Sequence, residues 1–271
     1  MTDRTPDLVR IAQALEAADR VLAGFESGRI AASRKVNHDP VTEADLACDR
    51  VLRQVLLKPG EGWLSEETAD DSDRLTKARV WVVDPLDGTK EFVAGIPEWC
   101  VSVGLVEDGI AVAGGILNPA AGFIALGAEG MGCTLNGKPV GHSPATGLEG
   151  ATVLASRTEV DRGQWQHWHH APFALQPMGS VAYKMARVAC GLADATWTLV
   201  PKHEWDVAAG TALVTAAGGS VSLPDLKPPR FNQPSAWLPG LIAIGPGRVP
   251  WFDLAGVVDG SLGHETDRAA V

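Results

Sequence analysis

The stretch Arg79–Phe92, RVWVVDPLDGTKEF, decides how the rest of the chain is read. Val80, Trp81, Val82 and Val83 form a short continuous apolar run, the pattern of a buried strand. Pro85 has no N–H to give a sheet ladder, so the strand is expected to stop there. Asp84 and Asp87 place two carboxylates directly after it. Gly88 permits close backbone approach to whatever binds, and a helix starting near Thr89 turns its free N–H groups toward the same spot. Carboxylates beside an anion site repel a phosphate unless cations stand between them. The economical reading is a divalent-metal site for a phosphate, with hard oxygen donors that suit Mg²⁺. Each half alone has a plainer reading, since Asp-Gly is an ordinary turn and Asp an ordinary helix cap.

The whole-chain numbers bound the partners. With 271 residues, 45% of them apolar and 21% charged, the chain has the composition of a globular protein with a sizeable core. A net charge of −10 argues against nucleic-acid polymers and anionic membranes as partners. Cys48, Cys100, Cys133 and Cys190 are scattered without a CxxC pair and read as buried reduced thiols. Neither a leader pattern nor an apolar run approaching roughly 18 residues is present, so a cytoplasmic location is expected.

Outward from the central stretch, helical spacing of Leu8, Ile11, Leu15 and Leu22 predicts a helix over 6–25. After a loop through Asn37-His38-Asp39-Pro40, Thr42 opens a second helix with Leu46, Val51, Leu52, Val55 and Leu56 on its apolar face. Trp63-Leu64 reads as a strand end that delivers Ser65-Glu66-Glu67. Downstream, a β-meander with hairpin turns at Asp108-Gly109 and Asn136-Gly137 is expected. The boundary between halves falls in His142–Gly150, giving 1–145 and 146–271. The second half alternates strands (152–155, 173–175, 193–199, 241–244) with helices (180–190, 206–217, and a terminal one near 251–258). Residues 224–239, rich in proline, read as a surface loop, and the tail after Gly263 as frayed.

Asp84-Pro85-Leu86-Asp87-Gly88-Thr89 resembles, without a gap, the signature of the inositol monophosphatase superfamily of Mg²⁺-dependent phosphatases. Ser65-Glu66-Glu67 and Trp205-Asp206-Val207-Ala208-Ala209-Gly210 resemble its other two elements, so the likeness runs from about Val41 to Gly219. It implies the layered αβαβα sandwich of the inositol monophosphatase and fructose-1,6-bisphosphatase type. It also implies two or three Mg²⁺ ions held by Glu66, Asp84, the Leu86 carbonyl, Asp87 and Asp206. Asp45 would pair with Thr89 to orient an attacking water, and Glu67 would act as a base or ligate an extra ion. By the same resemblance Glu66, Leu86, Asp87, Gly88, Thr89, Ser180 and Asp206 would contact the substrate. Plainer roles stand beside these: a capping box for Thr42 and Asp45, an N-cap for Ser180, and a solvated acidic loop for Glu67.

Lys90-Glu91-Phe92 is similar to the bisphosphate nucleotidase branch, which removes the 3′-phosphate of adenosine 3′,5′-bisphosphate or its sulfated form. Inositol 1-phosphate and histidinol phosphate remain alternatives, and a non-catalytic phosphometabolite-binding protein is a distant one. A covalent Asp-phosphate mechanism needs Asp-x-Asp near the N-terminus, and here the spacing is Asp84-x-x-Asp87. Lys202, His203 and Glu204 face the leaving group or form a charged loop edge, and His167–His170 read as solvated surface. The resemblance implies a small phosphorylated metabolite as partner and admits a homodimer.

Overall fold

The computed structural model describes residues 2–34, 40–70, 72–141, 147 and 149–247. Most of the expected boundary at 142–150, the loop at 37–39, the terminal helix and the tail lie outside these residues, as does the side chain of His167. The elements in order begin with α1 (Thr5–Leu22), the two-residue strands β1 (Ser33–Arg34) and β2 (Pro40–Val41), and α2 (Glu43–Leu56). Then come β3 (Gly62–Ser65), β4 (Arg79–Asp87), α3 (Thr89–Ala94), β5 (Cys100–Glu107) and β6 (Ile110–Asn118). They are followed by β7 (Phe123–Ala128), β8 (Gly132–Leu135) and β9 (Lys138–Pro139). The second half holds β10 (Thr152–Ser156), α4 (Arg157–Asp161), β11 (Ala174–Met178), α5 (Val181–Ala189), β12 (Ala195–Thr198) and β13 (Lys202–His203). It ends with α6 (Glu204–Ala216), β14 (Ser220–Ser222), β15 (Trp237–Leu238) and β16 (Leu241–Ile244).

Two sheets form the frame: β3 to β9 in sequence order, and β11-β10-β12-β16-β14. The apolar run of β4 is continuous because both faces of the first sheet are covered. Trp81 and Val83 pack with α1 and α2, while Val80 and Val82 join a core shared with α5, α6 and the second sheet. The far face of the second sheet is closed by Trp165, Trp168 and Phe173 around Trp197. The result is the expected αβαβα layering. Its central core runs through both halves of the sequence.

α6 lies unusually close to the first sheet. Gly104 and Gly114 are cross-strand neighbours on β5 and β6, and a Cβ on Gly114 would sit 2.6 Å from the Ala209 carbonyl oxygen. The small residues Ala208, Ala209 and Gly210 meet glycines on one side and Met185 of α5 on the other.

Three local readings change. β4 does not stop at Pro85 but continues to Asp87. Between the pairs Asp84–Ser102 and Asp87–Cys100, two residues of β4 face one of β5. Pro85 sits in that bulge, where a missing N–H costs no ladder bond, and a bulge re-aims the flanking side chains. In α2 the buried apolar positions are Ala44, Cys48, Leu52 and Leu56, whereas Leu46 is exposed, two residues and so about 200° round the helix from Ala44. The 224–239 segment is not simply a surface loop, because Phe231 is fully buried and Trp237–Leu238 pair with β13.

Candidate active site

Parallel pairing of β3 with β4 sets Ser65 beside Val83, so Glu66 and Asp84 emerge at the same end of the sheet. The Glu66 N–H donates to the Val83 carbonyl at 3.3 Å. α6, seated on the same sheet, brings the first-turn residue Asp206 to that end, and the β4 bulge turns Asp87 toward α5. Glu66, Asp84, Leu86, Asp87, Gly88, Thr89, Ser180 and Asp206 all line one cavity of about 250 Å³.

The carboxylates sense one another. Burial first, then the charges of Glu66, Asp87 and Asp206, hold the Asp84 carboxyl well above the usual carboxylate range. Burial, then Asp87 and Glu66, does the same to Asp206. Asp87 is also raised by burial, although it accepts 2.7 and 2.6 Å hydrogen bonds from Ser180 Oγ and the Ala182 N–H. Among the described residues no group of three His, Cys, Asp or Glu side chains is already gathered into an ion cage. Like charges do not close up without counter-ions. Four carboxylates and one carbonyl oxygen are a hard donor set, and their mutual repulsion is what a divalent cation relieves. The residues therefore fit Mg²⁺.

Asp45 makes both of the expected contacts, one with each oxygen. Oδ2 accepts from the Thr42 N–H at 2.9 Å and from Thr42 Oγ1 at 2.6 Å, closing the capping box of α2. Oδ1 accepts from Thr89 Oγ1 at 3.0 Å. Asp45 is buried behind Thr89 and reaches the cavity only through it. The Thr89 hydroxyl also lies 3.1 Å from the Leu86 carbonyl oxygen.

Gly88 caps α3 with φ 96°, and a Cβ there would approach the Glu98 carbonyl to 2.9 Å and Trp99 Cα to 3.1 Å. The neighbour that demands glycine is thus the protein's own backbone. Ser180 is an N-cap, accepting from the Tyr183 N–H at 3.0 Å, while its proton goes to Asp87. That commitment argues against a direct hydroxyl donation to substrate. Glu67 is not among the lining residues, and its N–H closes a turn on Ser65 Oγ at 3.3 Å.

Glu204 does not face a leaving group, because it is fully buried and accepts the Asn232 and Gln233 N–H groups. His203 is stacked between Trp205 and Trp237, with ring centroids 4.2 and 3.7 Å away. Lys202 does line the cavity, 3.7 Å from Glu159. His169 and His170 are exposed, as expected.

Sequence reading missed the cavity's basic residues. Lys184 of α5 is buried, its ammonium 3.0 Å from the Ser180 carbonyl, and desolvation pulls its pKa down to about 8 against the opposing pull of Asp87. Arg157, at the start of α4, pairs with Glu98, whose carboxylate also accepts the Gly179 N–H at 2.8 Å. A lysine on the apolar side of a helix carries no sequence signal of its own. Its placement among the residues following Gly179-Ser180 was the one available hint.

The layered α/β frame carries an acid-lined cavity at the end of a mixed sheet, and likeness to known proteins identifies the class. The family model for the inositol monophosphatase family matches residues 6–248, and the chain belongs to that family. Inositol monophosphatase 3 of Solanum lycopersicum is 34% identical over 230 residues, covering 79% of this chain and 84% of the relative. Inositol-1-monophosphatase of Rhizobium meliloti (strain 1021) is 32% identical over 190 residues, 67% of this chain and 71% of the relative. Among solved structures, an inositol monophosphatase from Anabaena superposes with a TM-score of 0.74 at 26% identity, covering 97% of this chain and 96% of that one. CysQ from Bacteroides thetaiotaomicron gives 0.71 at 26%, covering 90% and 98%. The chain is accordingly a phosphatase, a hydrolytic enzyme of a metal-dependent family that acts on small phosphorylated substrates. Among the described residues no helix is long and apolar enough to cross a membrane.

Proposed function

We propose that this phosphatase is a Mg²⁺-dependent bisphosphate nucleotidase that removes the 3′-phosphate of adenosine 3′,5′-bisphosphate, or of its sulfated form, by direct attack of water. One observation carries the reading: the cavity is lined by acids, Glu66, Asp84, Asp87 and Asp206, and also by bases, Arg157, Lys184 and Lys202. The acids suit cations at the phosphate being cleaved. The bases suit a second anionic group, which a bisphosphate carries and inositol monophosphate lacks. Inositol 1-phosphate is the second reading, favoured by the names of the curated relatives.

Glu66, Asp84, the Leu86 carbonyl, Asp87 and Asp206 would hold two or three ions. When bound, Mg²⁺ supplies Lewis-acid charge against the phosphoryl oxygens and makes water a stronger nucleophile at neutral pH. The chain's own residues do the orienting. Thr89 gives its proton to Asp45 Oδ1, which leaves oxygen lone pairs on Thr89 to accept a proton of the incoming water. Asp45, fixed by Thr42, keeps that direction constant. The Gly88 and Thr89 N–H groups receive phosphoryl oxygens. A cytoplasmic setting fits four buried free thiols.

Phosphate release from adenosine 3′,5′-bisphosphate, inositol 1-phosphate and histidinol phosphate, with and without Mg²⁺, tests this. The bisphosphate should have the highest kcat/KM, and a preference for inositol 1-phosphate would reverse the ranking. A pH profile probes the bases. Lys184 has its folded pKa lowered to about 8 from 10.5, so its charge is lost as pH rises through about 8. KM for the bisphosphate should rise above that pH, and Lys184→Met should raise KM about tenfold at pH 7 and flatten the profile. The sign for stability is opposite. The buried ammonium is a cost below pH 8 that is relieved between about 8 and 10.5, because there the unfolded chain binds the extra proton.

A further inference from the structure

The segment after Glu66 and the helix that starts at Glu204 are joined by a turn that belongs to neither. Arg74, fully buried, donates Nη1 to Asn232 Oδ1 at 2.8 Å and Nη2 to the Gln233 carbonyl at 3.0 Å. Its Nε and Nη2 also grip Asp70 at 2.7 to 3.1 Å, and its own carbonyl receives Asn232 Nδ2 at 3.0 Å. From the opposite side Glu204, the first residue of α6, accepts the Asn232 N–H at 2.6 Å and the Gln233 N–H at 2.9 Å. The turn is anchored by Phe231, whose N–H donates to the Gly109 carbonyl at 3.0 Å, and Asn232 adopts φ 56° to make both grips at once.

Arg74 sits between Glu66 and β4, and Glu204 precedes Asp206 on the same helical turn. The clasp therefore ties the polypeptide around one proposed cation ligand to the polypeptide around another. Those two carboxylates carry like charge and line one cavity, so they repel. Something other than their own attraction has to hold them at a fixed spacing. We infer that Glu204, Arg74 and Asn232 are positioning residues that set the separation of Glu66 and Asp206 and thereby tune divalent-cation affinity. The inference rests on the cation reading of the site and adds residues that contact neither cation nor substrate. Groups that orient ligands from behind govern affinity because a loosened carboxylate must be re-ordered each time an ion binds.

Binding of Mn²⁺, followed by electron paramagnetic resonance with Mg²⁺ as competitor and no substrate present, measures this on the intact chain. Glu204→Gln keeps shape but turns an N–H toward one of the two backbone donors. It should weaken Mn²⁺ and Mg²⁺ binding about tenfold, the lower end of what supporting residues contribute. At saturating Mg²⁺, kcat should stay within about twofold. Asn232→Ala, which keeps its backbone N–H to Glu204 but loses Arg74, should act in the same direction, so the test survives if either variant folds poorly. The two together should weaken binding by less than the product of the single effects, because both loosen one turn. A folded Glu204→Gln or Asn232→Ala protein with a lowered Tm and unchanged ion affinity would overturn the inference, since the clasp would then be structural only. Failure of the underlying cation reading looks different: the unaltered protein would bind no Mn²⁺, or Asp206→Asn would bind it unchanged.

Discussion

Asp206→Asn is expected to cut turnover about a thousandfold while leaving the metal-free protein folded and no less stable. Asn keeps an oxygen for the His203 N–H, which Asp206 Oδ2 now accepts at 2.9 Å, so the start of α6 stays capped. What disappears is one negative charge from the acids of the cavity. The loss in rate follows because charge placed for the transition state is worth far more in a dry cavity than in water, and removing one such contributor costs about 10²–10³-fold in kcat. Stability moves the other way. The Asp206 carboxyl is held well above its ordinary range, by burial and then by Asp87 and Glu66. Between the ordinary and the raised value the folded state binds more protons than the unfolded one, so metal-free stability falls as pH rises through that window. The Asn variant lacks this slope, and Mg²⁺ should remove it from the unaltered protein. Turnover at saturating Mg²⁺ and thermal unfolding without metal, from pH 4 to 8, measure both halves. A variant that retains a tenth of normal turnover would remove Asp206 from the site. Asp87→Ala is a less clean probe, because it strands the Ser180 hydroxyl and the Ala182 N–H that Asp87 now accepts. It should cost about 1–3 kcal/mol of stability besides activity.

Gly114→Ala should destabilise the fold by about 2–4 kcal/mol, the upper part of what overpacking does. The added carbon would lie 2.6 Å from the Ala209 carbonyl oxygen and 3.0 Å from Ala209 Cα. Both are backbone atoms, which have no rotamer to change, so α6 as a whole must lift from β5 and β6. Activity should fall with stability, because Asp206 lies on the first turn of the helix that moves. Gly141→Ala is the control: among the described residues nothing stands within 4 Å of its Cβ position, so its effect should stay within about 0.5 kcal/mol. Denaturant midpoints at constant m-value separate the two. Equal stability of the two variants would mean that the helix rides on the sheet more loosely than this packing implies.

The acids that line the cavity and the elements that carry them were legible from residues 79–92, 65–67 and 205–210, because the signals are local. A run of four apolar residues, an Asp before a helix and helical spacing are each written within a few positions. The capping role of Asp45 was legible for the same reason, since a capping box spans four residues, while its contact with Thr89, 44 residues on, was expected only from the resemblance. The strand through Pro85 was not, because whether a bulge absorbs the proline depends on β5 opposite. Nor was the reason for Gly88, which is crowded by Glu98 and Trp99, residues that a turn signal cannot see.

By itself the sequence determined the chemistry on offer: acidic groups close to a glycine turn and a helix start, and the alternation that builds two sheets. Only the tertiary structure decided which of those groups meet. It turned Ser180 toward Asp87, withdrew Glu204 to hold the 232–233 turn, and set Lys184 in the cavity wall. The physical reason is that hydrogen bonds and charges act over a few ångströms of space. Such partners are separated by up to 159 residues of chain, as Arg74 and Gln233 are, and only close packing of the layers brings them within that reach.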